Sequence, residues 1–342
     1  MRAQVAASTG PFRNIPTLAD LNGKTGILFD STADLPPTFF NQWRDYCVPL
    51  FSVVDACSYR DRMDIDARTL SNIVRLRAFE TVGTSGCAYQ TCLDMIANAL
   101  AKHTTVLLIT LPHKVSEATY NNIQRAISTL PADDQKRLVH HNTKFTLVPG
   151  WKVMRAYWLA ANKGMDAAAI DKNLHEFAAN GGVVNGAIIP KLGYLRRSGR
   201  FDHLMGKLCG IVGKVLIKAE IDGKAFSFWN DYSKPEPIKP GTLKAQVVKI
   251  GQIDQCKKKF VSLLKKVAVK FKGLQKFDMQ ISHQSEPWKI GWFLDAVKKE
   301  FGDQLRNVYV AEQSCLLLTA SGRGVFLLHM WPADEVDFPF LA

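Results

Sequence analysis

The sequence predicts an α/β protein in two domains: an N-terminal Rossmann-like domain built on a parallel sheet, then an α+β domain with a mixed sheet. Three observations predict it. A short apolar run at 27–29 ends abruptly in Asp30-Ser31-Thr32-Ala33-Asp34-Leu35-Pro36, the way a buried strand delivers its carboxyl end to a crevice. Strand-length apolar runs then alternate with segments of helical period up to about residue 165, which implies parallel strands with covering helices. Beyond that point Gly-, Asp-Gly- and Pro-rich turns separate the strands, and 342 residues exceed what one core usually serves. Residues 23–165 and 166–342 are therefore assigned to the two domains, and 1–22 to an N-terminal extension.

Each element has its own signal. Residues 105–111 are a β-branched and leucine run of strand length, and Ile123, Ala126, Ile127 and Leu130 mark the buried stripe of the next helix. A second strand is expected at 145–148, and after Pro149-Gly150 a helix in which Met154, Tyr157, Trp158 and Ala161 share a face. A helix with Ile170, Leu174, Phe177 and Ala178 on one side stops at Gly181-Gly182, and 183–189 reads as a strand. Asp222-Gly223, between apolar residues 215–221 and Phe226-Ser227-Phe228, is a hairpin signal, and residues 235–240 are a Pro-rich loop. Phe260, Leu263, Leu264, Val267 and Phe271 follow helical spacing with Lys258, Lys259, Lys265, Lys266 and Lys270 between them. Later strands are expected at 279–282, 308–310 and 316–319, with a helix carrying Ile290, Phe293, Leu294, Val297 and Phe301 in register.

Composition narrows the function classes. Hydrophobic residues make up 47% of the chain, which suits a globular protein, and no uncharged apolar run reaches the roughly 18 residues needed to cross a bilayer. The first 21 residues lack a continuous apolar centre with a small-residue cleavage site, so a cytoplasmic location is expected. Seven scattered cysteines without paired Cys-x-x-Cys spacing fit a reducing compartment; Cys87 and Cys92 are either a redox pair or small buried hydrophobes. The formal charge is +13, and much of the excess lies between residues 239 and 276. That lysine-rich helical face suits nucleic acid, anionic lipid, an acidic protein, or plain solvation.

The order of motifs resembles the DegV family. Asp30-Ser31-Thr32-Ala33-Asp34-Leu35-Pro36 matches the family's opening motif, followed by Val48-Pro49-Leu50, Tyr59-Arg60-Asp61, Thr84-Ser85, and Ile109-Thr110-Leu111 leading to Ser116 and Thr119-Tyr120. Tyr194-Leu195, Gly199-Arg200 and Leu216-Ile217-Lys218 continue it. The resemblance implies a two-domain bacterial protein that holds a long-chain fatty acid in a tunnel between its domains and presents the carboxylate to a separate fatty acid kinase, with no catalysis and no cofactor of its own. It places Ser31, Thr32, Thr84, Ser85, His113, Ser116, Ser321 and Arg323 around the headgroup. Arg196, Arg197 and Arg200 match a segment implied to face an acidic kinase partner; nucleic acid is disfavoured, and transient contact with a membrane surface is compatible. The chain departs from the pattern in three places, one of them Glu117-Ala118, which replaces a glycine with one residue added. Pro112-His113 stands where the family has Ser-Ser, and Thr319-Ala320-Ser321-Gly322-Arg323-Gly324 replaces Thr-His-Thr-Gly-Pro-Gly, so the histidine is lost. His113 either binds the carboxylate or caps the following helix, and Arg323 either adds a bidentate partner or lies in solvent.

Other readings have weaker support. Asp30 could act as a phosphatase nucleophile, but that chemistry needs a second acid two residues on, where Thr32 stands; Asp34 is read as a cap or start of the next helix. Gly-rich phosphate fingerprints and a Walker lysine are absent. His140, His141, His175 and His283 have no Cys, Asp or Glu at recognisable metal spacing, so no metal site is expected.

Overall fold

β1 (Thr25–Asp30) is the axis of the first half of the computed structural model, which describes residues 24–76, 82–113, 115–143, 148–180, 183–189, 225–231, 246–251, 253–271, 276–284 and 290–336. It runs parallel to β2 (Cys47–Val48) on one side and β6 (Thr105–Thr110) on the other, and β7 (Leu138–Asn142) completes the sheet order β2-β1-β6-β7. All six residues of β1 are buried, so both faces of the sheet are covered, which is why the strand reads as a continuous apolar run. α3 (Tyr89–Lys102) and α4 (Glu117–Thr129) pack together, as do α6 (Gly150–Lys163) and α7 (Ala167–Asn180), and both pairs lean on the sheet. Short α1 (Pro37–Gln42) and α5 (Ala132–Arg137) follow β1 and α4. Ala167, Ile170 and Leu174 of α7 share the core of β1.

A small antiparallel sheet sits to one side, with β3 (Phe51–Val54) between β4 (Cys57–Arg60) and β5 (Val82–Ser85). Its β3–β4 hairpin turns through Asp55 and Ala56, both at positive φ, the conformation that matches strand twist in two-residue hairpins. α2 (Ala67–Leu76) closes a satellite core in which Val54, Leu70 and Val82 meet Cys315 and Leu318 from the far end of the chain.

The second half forms a six-stranded sheet of order β10-β9-β8-β13-β11-β12: β8 (Val184–Ile189), β9 (Ala225–Asp231), β10 (Gln246–Gly251), β11 (Phe277–His283), β12 (Leu305–Glu312) and β13 (Phe326–Pro332). Only β11 and β12 run parallel, which makes the sheet mixed. α8 (Ile253–Phe271) and α9 (Gly291–Phe301) pack on it through Phe260, Leu264, Phe293 and Val297. Among the described residues no helix is long and apolar enough to cross a membrane.

One strand assignment needs correction. Residues 316–319 lie in α10 (Cys315–Ser321), a helix whose seven residues are all buried and whose Ser314 hydroxyl caps the amide of Leu317 at 3.3 Å. A helix buried all round has no polar face, so its apolar run carries no helical period. The last strand is β13 instead. Of the expected strand at 145–148 only Val148 is described; it is buried outside any strand, and its carbonyl accepts the Asp34 amide at 3.2 Å. The fourth strand of the first sheet is β7, whose His140-His141 pair hid it from an apolar count. The hairpin partner at 215–221, the 235–240 loop and the 1–22 extension lie outside the described residues.

The two sheets are locked where α6 begins. A Cβ on Gly150 would lie 1.8 Å from the carbonyl oxygen of Asp34, so only glycine permits this approach. Gln280 of β11 then bridges the gap, accepting from the Trp151 amide at 2.9 Å and donating to the Asp34 carbonyl at 2.7 Å. Because the obstruction is backbone, Gly150→Ala is expected to destabilise the protein by about 3 kcal/mol or more. Urea denaturation checks this; a loss below about 1 kcal/mol would mean that the loop shifts freely.

Candidate functional site

The crevice lies at the carboxyl ends of β1 and β6, and Asp30 organises it. Its carboxylate accepts from the Thr32 amide at 2.9 Å, from the Thr32 hydroxyl, and from the Leu111 amide at 2.6 Å, tying the two strand-end loops together. Ser31 donates its amide to the Val48 carbonyl at 3.0 Å and accepts the Leu50 amide on its hydroxyl at 3.1 Å. Both residues are fully buried. The hydroxyls of Ser31 and Thr32 are thus engaged by the protein itself, Ser31 with Leu50, and Thr32 with Asp30 and the Val148 amide.

Around this turn three buried carboxylates gather from two segments. Burial pushes Asp30 up to about 6 despite the bonds from Thr32 and Leu111, and it pushes Asp34 up to about 7, with Arg62 and the Ser282 hydroxyl drawing it back. Asp61 is raised by burial too, and its carboxylate accepts the Cys315 amide at 3.0 Å. Asp34 makes no well-formed hydrogen bond through its side chain among the described residues; its nearest cation is Arg62 at 4.0 Å. It does not cap α1, whose N-cap is Pro36 without a side-chain bond. Arg62, at φ 63°, donates to the Glu312 carbonyl at 2.6 Å and lies 5.1 Å over the Phe40 ring. Here the first sheet, the small sheet and the β12–α10 loop meet. Tyr59-Arg60-Asp61 and the opening motif pointed to this neighbourhood, but nothing local in the sequence marked Arg62 as a member of it.

The remaining expected residues fall in two groups that the 84–87 segment connects. Thr84 on β5 stands opposite Ser52 of β3, Ser85 is exposed, and β5 packs against α10. Ser321 in α10 is buried and donates to the Leu317 carbonyl at 2.6 Å, while Arg323 reaches α2, donating from Nε to the Ser71 hydroxyl at 2.8 Å. In the second group, Ser116 bonds the Thr119 hydroxyl at 2.8 Å, and half-buried His113 donates its amide to Asn142 at 3.3 Å with its ring 5.2 Å from Tyr120. Gly86 abuts the start of α4: a Cβ there would lie 2.9 Å from the Thr119 amide nitrogen. Arg196, Arg197 and Arg200 lie outside the described residues.

A family model described as an uncharacterised protein of the DegV family matches residues 24–218, more than half of the chain. The chain belongs to the DegV family. It is 26% identical over 203 residues to a DegV domain-containing protein of Caldanaerobacter subterraneus subsp. tengcongensis, covering 59% of this chain and 69% of that one. Among solved structures, a DegV family protein from Thermus thermophilus, described by its fatty acid binding, has a TM-score of 0.70 at 17% identity, over 91% of this chain and 100% of its own. DegV of Bacillus subtilis, described as a fatty acid binding protein, scores 0.69 at 15% identity over 91% and 99%. A stearic acid-binding protein from Eubacterium ventriosum scores 0.68 at 16% identity over 90% and 98%. At these identities the likeness establishes the two-part fold.

This DegV protein also contains a buried relay that spacing did not reveal. His141 at the end of β7 contacts Asp171 of α7 through Nδ1 at 2.6 Å and Lys152 of α6 through Nε2 at 2.7 Å. An ammonium can only donate, so these partners assign His141 as the Nδ1–H tautomer. Burial, then the Lys152 charge, pushes it down to about 3. The ligating atoms of His141, Asp171 and His175 lie within 4.8 Å of one another, a grouping that Asp171 and His175 four apart on a helix could have signalled. Lys152, itself buried, already supplies the positive charge there. On the outer face of α8, Lys257 and Lys265 pair with Asp254 and Glu300 at 3.4 and 2.8 Å, beside a hollow of about 370 Å³.

The raised Asp34 value sets a pH dependence. A carboxyl that binds its proton more tightly when folded adds stability that is complete below its ordinary value of 3.8 and is lost as pH rises to about 7. His140, His141, His283 and His329, pushed down by burial to about 4, 3, 4 and 3, act in the opposite sense, gaining stability as pH rises to their ordinary value. A difference measurement separates the two. Relative to wild type, Asp34→Asn is expected to gain stability on the order of 2 kcal/mol between pH 4 and pH 8. Urea denaturation at pH 4, 6 and 8 tests it, and a pH-independent difference would show that Asp34 is ionised throughout.

Proposed function

We propose that this protein binds one long-chain fatty acid at the junction of its N-terminal (23–165) and C-terminal (166–342) parts, in the cytoplasm, and presents the carboxylate to a separate kinase. It catalyses no reaction of its own and needs no cofactor beyond the acyl ligand. One observation carries the reading. β5 with Thr84 and Ser85 packs on α10 with Ser321, next to the carboxyl ends of β1 and β6, in a fold shared with proteins described as binding fatty acids. Thr84, Ser85 and Ser321 offer hydroxyls to a carboxylate, His113 and Arg323 offer N–H donors, and Ser116 lies across the Gly86 contact. Ser31 and Thr32 contribute from behind, by holding the Asp30 loop in place.

Magnitudes favour a lipid over a small acid. Each buried methylene contributes roughly 0.8 kcal/mol, so a chain of about 16 carbons offers on the order of 12 kcal/mol gross. That is comparable with the ordering costs of association, and headgroup bonds add the surplus and the orientation. A site whose family histidine is replaced by Ala320 therefore keeps its ligand while holding the carboxylate differently. The segment with Arg196, Arg197 and Arg200 supplies the positive patch for an acidic partner.

Mass spectrometry of the denatured, purified protein is expected to release about one fatty acid per chain. Thr84→Ala combined with Ser321→Ala should lower fatty acid affinity about tenfold, the loss of one to two hydrogen bonds. An empty protein that takes up no added fatty acid would overturn the reading. Presentation to a kinase has its own check. Arg197→Ala with Arg200→Ala should abolish salt-sensitive binding to the acidic partner while leaving lipid content unchanged.

A further inference from the structure

Cys87 and Cys92 are five residues apart, and neither is needed by the ligand reading. Both side chains are fully buried, yet their sulfurs lie 2.8 Å apart, inside ordinary non-bonded contact. Both are free thiols. Cys92 sits in the first turn of α3, its amide bonded to the Ala88 carbonyl at 3.0 Å, so one sulfur belongs to a fixed helix. Cys87 sits in the connection that leaves β5 directly after Thr84-Ser85-Gly86. Its carbonyl accepts from Asn122 of α4 at 2.8 Å, and its thiol faces the Thr119 carbonyl at 3.9 Å. On either side Ser85 and Ala88 are exposed, so a small opening of this connection brings solvent to Cys87.

We infer that Cys87 and Cys92 are an oxidisable pair whose disulfide pins the segment carrying Thr84 and Ser85 to α3. Closing the sulfurs from 2.8 Å to the bonded distance of about 2.05 Å needs less than one ångström of movement. The oxidant is a peroxide. The Cys87 thiolate attacks one peroxide oxygen, the O–O bond breaks, and a sulfenic acid and water form. Cys92 then attacks the sulfenic sulfur, the S–O bond breaks, and a second water leaves with the remaining proton. Two thiols have then given up two electrons, and one peroxide has become two waters. Burial and the neighbouring Cys92 push the Cys87 thiol up, so the closed pair is slow to react and oxidation proceeds through the open loop. The inference stands apart from the fatty acid reading, because neither the sulfur geometry nor the loop anchor depends on what is bound.

The full chain is treated with hydrogen peroxide, the remaining thiols are alkylated, and peptides are mapped. A cross-linked peptide joining Cys87 to Cys92 is expected, reversed by dithiothreitol and absent from Cys87→Ser and Cys92→Ser. Amide hydrogen exchange at residues 84–88 is expected to slow about tenfold in the oxidised protein. Exposed Cys57 serves as the internal control for peroxide exposure. Oxidation of Cys57 with no 87–92 cross-link would overturn the pairing, and a cross-link with unchanged exchange would overturn the pinning.

Discussion

The side-chain amide of Gln280 is the constraint on which the rest of the crevice depends. The first turn of α6 has amides with no helical partner, and the Asp34 carbonyl emerges from a loop with no strand to pair with. Gln280 satisfies both at once, and it can do so in one orientation only, oxygen toward Trp151 and nitrogen toward Asp34. Gly150 makes this possible by letting the Asp34 carbonyl lie where any side chain would stand. β11 of the second sheet thereby fixes the loop after β1 of the first. A rigid relation between the sheets follows, reinforced by Arg155 on Asp334 at 2.7 Å and by Trp331 beside Trp151.

Once that loop is fixed, the placement of charge has a physical logic. Asp30 is bonded by two amides and a hydroxyl, the arrangement that makes a buried carboxylate tolerable. Asp34 lacks such amide bonds and takes up its proton more readily than Asp30, which leaves Arg62 facing fewer negative charges than the three carboxyls suggest. Buried ionic groups of this kind contribute less to stability than to uniqueness, because any other docking of the small sheet would strand Arg62 or Asp61 without partners. The Lys152–His141–Asp171 relay acts in the same way between α6, β7 and α7. Its partners come from three elements, and removing the buried His141 would break both of its contacts at once.

What the sequence made legible was whatever had a local signature. β1 and its Asp30 turn, the stripe of α4, the lysine-faced α8 and the spacing of α9 each carry their signal within a dozen residues. α10 did not, because a helix buried on all sides shows neither alternation nor helical period. β7 did not, because His140 and His141 interrupt its apolar run. The site was legible as motifs but not as roles. Nothing within reach of Gln280 in the sequence marks it as the bridge between two sheets, and Asp171 lies thirty residues from the histidine it orients. Arg62 and Glu312 are 250 apart. Such pairings are properties of the fold, and a one-dimensional pattern carries them only where a relative has already shown them.

The opening motif has a structural job of its own. Ser31 and Thr32 are hydroxyl-bearing residues at a strand end, where ligands bind in open α/β sheets, yet their bonds run to Leu50, Val48 and Asp30. The motif builds the floor of the crevice. Under the proposed function, contact chemistry falls to β5 and α10, which approach that floor from the small sheet and from the second half of the chain. Those are also the segments where this chain keeps Thr84 and Ser85 but carries Ala320 in place of a histidine. A floor that is bonded internally does not depend on the ligand for its shape, so the residues above it can change without unfolding it. Under that proposal, substitution at 112, 113 and 320 would alter how a headgroup is held while the crevice beneath stays as it is.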